Sequence, residues 1–352
     1  MSTAGAGGAA AAALLLWVGS GTAPETAAEQ ALAPVEKCRV DDKRLAELSG
    51  LASDGSAWYA ISDGGSSLRV FVLDPADCSI RGIRTASNDP YDVEDLALGR
   101  DGSLWLADTG DNRRRRDDIA LYVMSSGGGA TLYRLAYPDG PHDAEALLLD
   151  RVGVPHIVTK EPLGSAGIYR PAGPLAADRT VPLERVGSIS LRSTQTPGGP
   201  LNGSLGSVLV TGGSVSQDGT AVAIRTYTEA YVYDAPDGDL VAAFQREPFR
   251  ISLPNEQQGE AIAWEPDGAL LSASEGNQPV RRIPGVAAAA RATGAHAEGD
   301  GSAKPALGGD VDRAQPTDRT GSGMSAGRDL LLAAAGAGLL IFVARRLRCR
   351  TR

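Results

Sequence analysis

Three glutamates return at one place in a repeated pattern. Glu94, Glu145 and Glu260, with Ser49, each stand two positions before an aliphatic residue, and Ser214 fits the frame loosely. A second recurring place closes the next apolar run and carries Asp63, Asp108, Asp111, Asn112, Lys160, Glu161, Arg225, Tyr227, Glu229 and Glu275. Carboxylates gathered by repetition repel one another unless a cation joins them, and an all-oxygen set suits Ca²⁺ better than zinc. Glu94, Glu145 and Glu260 are therefore the candidate Ca²⁺ ligands. Lys160 and Arg225 would project into the funnel, either to fill it with salt bridges to the carboxylates or to face an anionic group such as phosphate. His142, beside Asp143, is the histidine placed to act as a base. The same acids have a plainer use, because a carboxylate ahead of a strand often accepts from turn N–H groups and holds a loop.

The elements that position these residues follow from the repeat. Its clearest copy, Asp92 to Met124, reads as an acidic turn, a short apolar strand, an Asp-Gly turn, a strand ending in acids and a third strand. Degraded copies begin at Leu48, Asp143, Gly212 and Gln258. Short apolar runs separated by turn residues predict strands, and their repetition predicts an all-β β-propeller with each copy one blade. Five or six blades are expected over residues 38–286. The long gap between the third and fourth copies leaves room for a divergent blade, built from Thr180 to Ile189 and Val208 to Thr211. Inner strands of a propeller line a channel, so equivalent residues of successive blades converge in a funnel at one rim.

Composition narrows the function classes. A net charge of -9 argues against a nucleic-acid groove. Three Cys and three His are too few for a Cys/His zinc cluster. The repeat region, residues 38–286, contains no Gly-x-Ser-x-Gly elbow, phosphate-binding P-loop or dinucleotide fingerprint. The run Arg113 to Arg116 sits beside Asp117 and Asp118 and reads as a solvated loop. His156 lies in a strand and reads as packed. Asn202-Gly203-Ser204 fits a glycosylation sequon.

The ends speak of location. Residues 1–33 hold a short apolar core, Gly7 to Val18, with small residues after it, and read as a signal peptide. Leu330 to Ala344 is uncharged and is followed by Arg345, Arg346, Arg348, Arg350 and Arg352. That stop-transfer pattern predicts one transmembrane helix over 328–345 and a basic cytoplasmic tail over 346–352, with the propeller outside the cell. Residues 287–327, rich in Ala, Gly, Asp, Thr and Ser, read as a flexible stalk. Cys38 and Cys78 would both face the oxidising side and are the disulfide candidates. Cys349 falls among the tail arginines and would stay reduced or carry a lipid.

Several motifs in order resemble a family of exported actinobacterial β-propeller proteins, WD40-like or like the esterase-like phytase propellers. They are Asp92-Val93-Glu94-Asp95-Leu96-Ala97, Ala107-Asp108-Thr109-Gly110-Asp111-Asn112, and Tyr137-Pro138-Asp139-Gly140-Pro141-His142-Asp143-Ala144-Glu145-Ala146. Val158-Thr159-Lys160-Glu161, Arg225-Thr226-Tyr227 and Gln258-Gly259-Glu260-Ala261-Ile262 belong to the same series. The resemblance spans about Cys38 to Pro284 and implies Ca²⁺ with phosphoester or lactone chemistry. Two functions are therefore in view. One is a membrane-anchored binding module that takes a small-molecule or protein ligand in its funnel. The other is a Ca²⁺-dependent hydrolase of phytase-like type. In the second, acids held within metal-bonding reach would form the centre; in the first, side chains would plug the channel.

Overall fold

The computed structural model describes residues 32–63, 65–201 and 204–300, with side chains to residue 295. The signal peptide, most of the stalk, the transmembrane span, the basic tail with Cys349, the pair Asn202-Gly203 and the side chain of His296 lie outside the described residues. Among the described residues no helix is long and apolar enough to cross a membrane.

The fold is mostly β-strand. Strand β1 (Val35–Arg39) comes first, and four-stranded antiparallel units follow. The first unit is β2 (Leu48–Ser53), β3 (Trp58–Ser62), β4 (Leu68–Leu73) and β5 (Ile80–Ala86). The second is β6 (Val93–Leu98), β7 (Leu104–Asp108), β8 (Ile119–Met124) and β9 (Ala130–Ala136). The third is β10 (Ala144–Leu149), β11 (Pro155–Thr159), β12 (Ser165–Pro171) and β13 (Val181–Ser190). The fourth is β14 (Val210–Val215), β15 (Ala221–Thr226), β16 (Glu229–Asp234) and β17 (Phe249–Ser252), with the short helix α1 (Leu240–Ala243) before its last strand. The fifth is β18 (Gly259–Trp264), β19 (Leu270–Ser274) and β20 (Pro279–Ile283), and its outer strand is β1, paired antiparallel to β20. The outer strands β9 and β13 pair in parallel, so the second and third units merge into one eight-stranded sheet.

The first strands of the units touch in a cycle: β2 against β6, β6 against β10, β10 against β14, β14 against β18, and β18 against β2. Five apolar clusters fill the five gaps between successive units. Leu51 and Trp58 pack toward the fifth unit, for example, while Ala52 and Tyr59 pack toward the second. Each inner strand is thus covered on both faces, which is why the inner strands are apolar runs rather than alternating ones.

One irregularity is common to all five units. Between the first and second strands the pairing slips by one residue, leaving Ser49, Glu94, Glu145, Thr211 and Glu260 as the extra residue of a β-bulge. Thr211, and not Ser214, is the fourth member; Gly213 stands where the other copies have an aliphatic residue, which hid the frame. At the other end of the same strands the turns close through Gly55, Gly102, Gly153, Gly219 and Gly268, all at φ between 75° and 87°. There a side chain would meet its own backbone, and glycine does not.

Two expectations change. Thr180 to Ile189 supplies no separate four-stranded unit, because all but Thr180 falls in β13, the outer strand of the third unit; Val208 to Thr211 leads into β14, the inner strand of the fourth. The gap between them is a long crossing segment. Part of the segment read as stalk is also helical. Val286–Asp300 forms helix α2, whose Val286 and Ala290 are buried against the fourth and fifth units, and Gly294 lets the helix lie close on Asp234. Alanine-rich sequence forms helix readily once one face finds cover.

Candidate functional site

The bulges build the site. An extra residue in a strand leaves the ladder and turns its side chain aside. Glu94 and Glu145, from adjacent units, therefore come together, and Asp143, just ahead of β10, joins them. Ligand atoms of the three lie within 4.8 Å of one another, and all three residues are buried. The third carboxylate of the cluster is Asp143 and not Glu260. Glu260 belongs to the fifth unit, whose inner strand neighbours β14 and β2, and its Oε1 accepts from Gln258 Nε2 at 3.1 Å.

Lys160, at the end of β11, points its ammonium into the same place. Its Nζ donates to Glu145 Oε1 at 2.5 Å and to Tyr227 Oη at 2.9 Å, and it lies 4.9 Å from the centre of the Tyr227 ring. Burial works to discharge Lys160, but Glu145, with Asp143 and Glu260, more than offsets it and holds the lysine pKa well above its usual range. Burial also pushes the Glu145 carboxyl up, opposed by Lys160 and reinforced by Glu94, Asp143 and Glu260. Burial raises the Tyr227 phenol in the same way, so it stays a neutral donor and acceptor.

The loops around the cluster are tied by carboxylates. Asp108 accepts from the amides of Tyr91 and Asp92, both at 2.9 Å, and from Arg116 Nη1 at 2.8 Å. Asp111 accepts from the amides of Arg115 and Arg116, and its own N–H donates to Asp143 Oδ1 at 2.8 Å. Asn112 follows, half-buried. Gly110 lies so close to Glu94 Oε1 and the Asp92 carboxyl that a Cβ there would collide with both. The basic run is not wholly solvated: Arg116 is largely buried on Asp108 and stacks 4.8 Å from the Tyr91 ring, while Arg114 pairs with Glu161 at 2.7 Å.

Arg225, wholly buried at the end of β15, pairs with Glu256 and donates to Ser272 Oγ at 2.5 Å. Glu256 also accepts from Ser272 at 2.8 Å and lies 3.4 Å from Arg281. Glu229 is held by Thr194 and by Arg250 at 2.9 Å. Asp63 and Glu275 close turns through their amides, bonded to the carbonyls of Glu47 and Gln258. The segment after β13 crosses this end of the molecule. Its Gly199 N–H donates to Glu256 O at 2.7 Å, and its Gly206 carbonyl accepts from the Tyr227 amide at 3.2 Å.

His142 sits in a separate nest. Its Nε2 is 3.0 Å from Asp139 Oδ1 and 3.2 Å from Tyr169 Oη, and its Nδ1 is 3.4 Å from Glu161 Oε1. Its ring packs on Tyr137 and Tyr169.

Sequence reasoning passed over Asp95. This wholly buried carboxylate accepts from its own unit at Leu96 N, from the third unit at Leu147 N (2.8 Å) and from the fourth at Gly213 N (3.2 Å). Burial pushes its pKa well up, and those three amides oppose the shift. A signal existed. The other copies have Gly50, Ala146, Gly212 and Ala261 at this position, so a carboxylate there is out of place.

The donor set fits a hard cation. Three buried carboxylates gathered beside the Lys160 ammonium concentrate negative charge, which a proton or a metal ion could offset. Glu94, Asp143 and Glu145 would hold such an ion. When bound, it would neutralise them and offer a Lewis-acidic centre.

No protein-family model matches the chain, and no curated protein sequence matches it. Among solved structures it is similar to hydrazine synthase of Kuenenia stuttgartiensis, with a TM-score of 0.41 and 11% identity over 68% of this chain and 96% of that one. It is similar also to a streptogramin B lyase (TM-score 0.39, 12% identity, 71% of this chain and 97% of that one). A luciferin-regenerating enzyme gives 0.39 and 12% over 68% and 77%. Likeness this distant says nothing of chemistry, which is argued from this chain's own residues.

Proposed function

We propose that the chain is an exported five-bladed β-propeller, tethered by its C-terminal apolar segment, that works as a binding module. The bulge end of its channel is closed around a cation-holding carboxylate centre. The cycle of five inner strands supports the propeller. A disulfide between Cys38 and Cys78 fits an oxidising compartment outside the cytoplasm. The motifs shared with exported actinobacterial propellers fit the same address.

The clustering of Glu94, Asp143 and Glu145 favours the hydrolase; what carries the binding reading against it is that the cationic and histidine side chains such an enzyme would turn on its substrate are engaged. Lys160 is spent on Glu145 and Tyr227, Arg225 on Glu256 and Ser272, and His142 on Asp139, Glu161 and Tyr169. A substrate phosphate would have to displace buried ion pairs, and breaking one costs about 3–5 kcal/mol. The cation is therefore read as a structural ion that locks adjacent blades, most simply Ca²⁺ given an all-oxygen donor set.

The test is a turnover screen of the full chain with p-nitrophenyl phosphate and a δ-lactone, with Ca²⁺ and with chelator. No turnover above the Glu145→Gln background is expected. Calcium-dependent turnover lost in Glu145→Gln would sink the binding reading and establish the phytase-like hydrolase in its place.

A further inference from the structure

The open end of the channel is the other one. A cavity of about 760 Å³ lies where the inner strands end and the Gly-containing turns begin, and all five units line it, through Ser53, Leu98, Leu149, Val215 and Trp264 among others. That volume is within the range of small-molecule sites, roughly 300–1,000 Å³. Neither the acidic cluster nor its closing segment takes part.

Its lining is of two kinds. Trp105, partly exposed, contributes an indole ring whose N–H is already given to Ser103 Oγ at 2.9 Å, so it offers the cavity ring carbon; Trp264 touches the cavity but is buried between the fourth and fifth units, its N–H on Ser214 O at 3.2 Å. The rim is polar and of mixed sign, with Arg100 and Arg151 alternating with Asp101 and Asp150. Arg100 reaches past the third unit to the turn of the fourth, where its Nη2 donates to Gln217 O at 2.8 Å. A guanidinium has five N–H donors, and this bond uses one. Asp101 and Asp150 each commit Oδ1 to the amides of their own turns.

A ligand for such a mouth needs a flat apolar face for the Trp105 indole and neutral groups that both donate and accept at the rim. An anion would meet Asp101 and Asp150, and a cation would meet the arginines. A bare aromatic molecule would leave the rim unmatched, and burying unmatched polar groups is costly. Pyranose rings meet every requirement, with C–H faces to stack on indole and hydroxyls that donate to carboxylate and accept from guanidinium. We propose that this mouth is a saccharide-binding site. The inference rests on the binding-module reading and gives that module its ligand class.

The experiment titrates the full chain with maltotriose and with chitotriose and follows tryptophan emission, with sorbitol as a polyol that lacks a ring face. Two of the chain's four tryptophans line the cavity, so occupancy should change the signal. A saturable change is expected with at least one trisaccharide and not with sorbitol, at a dissociation constant of about 1 mM or tighter. Arg100→Gln, at an exposed residue that leaves the core untouched, should weaken binding about fivefold, and Trp105→Ala about tenfold or more. Arg170→Gln, at an exposed residue of the third unit remote from the cavity lining, should leave it unchanged. No response to either sugar at about 20 mM, well above that constant, or equal affinity in Arg100→Gln and Trp105→Ala, would overturn the proposal and leave a water-filled channel mouth. Release of reducing ends from a bound trisaccharide would keep the site and overturn the binding-module reading instead.

Discussion

Removing the Cys38–Cys78 disulfide should open the ring. Cys38 lies on β1, the outer strand of the fifth unit, and Cys78 in the turn between β4 and β5 of the first. The bond therefore joins the last unit to the first, across the point where the chain closes on itself. Its two cysteines are 40 residues apart in sequence. For a closed loop of that size the chain-entropy relation gives about 13 cal/mol/K, or about 4 kcal/mol at room temperature. Cys78 sits at φ 64°, but serine would hold that conformation at the same cost, so the strain cancels in Cys38→Ser/Cys78→Ser. Urea unfolding followed by circular dichroism should show the double variant less stable by about 4 kcal/mol. With a slope of about 3 kcal/mol/M the midpoint would fall by about 1.3 M. A loss under about 1 kcal/mol would refute the reasoning, because pairing with β20 would then hold β1 without the staple.

Other consequences concern the carboxylate end. Gly110→Ala should drive a methyl group into Glu94 and Asp92, abolishing any cation-dependent rise in melting temperature while circular dichroism stays native. Lys160→Met should cost about 3–5 kcal/mol by leaving Glu145 buried beside no ammonium, and adding Glu145→Gln should recover much of it; a double-mutant cycle in urea measures both. In chelator the melting temperature should be higher near pH 5 than near pH 8. The raised carboxyls of Asp95 and Glu145 give stability that is complete below the ordinary carboxylate range and lost as pH climbs through their folded values. Carboxyls held low, Asp42 at about 2 with Asp54, Asp101, Asp139 and Asp218, act in the opposite sense at more acidic pH, and His156, whose burial lowers its pKa, offsets part of the trend at the acid end of the window. A steady rise in melting temperature from pH 5 to pH 8 would contradict this.

The repeat was legible because each unit needs the same local code: an apolar strand, a turn glycine and a second apolar strand. Three of the five bulge residues are glutamates and could be stacked by eye; Thr211 could not, since Gly212 and Gly213 erase the apolar mark beside it. β1 was invisible as part of the last unit because its partner, β20, is at the far end of the chain, and strand pairing across that distance has no local signature. Partners escaped for the same reason. That Lys160 and Arg225 project inward followed from their place at strand ends, but their pairing with Glu145 and Glu256 depends on how neighbouring units lean together. Asp143 displaced Glu260 from the acidic cluster because adjacency in the ring, and not equivalence in the repeat, decides which carboxylates meet.

The account stands most directly on a cation at Glu94, Asp143 and Glu145. The measurement is thermal unfolding of the full chain against Ca²⁺ concentration, beside an Asp143→Asn variant. An ion bound only by the folded state adds about 2.7 kcal/mol at a hundred times its dissociation constant. The account predicts a melting temperature that climbs with the logarithm of Ca²⁺ concentration, reverses with chelator, and barely moves in Asp143→Asn. An unchanged melting temperature at millimolar Ca²⁺, or the same rise in the variant, would contradict it.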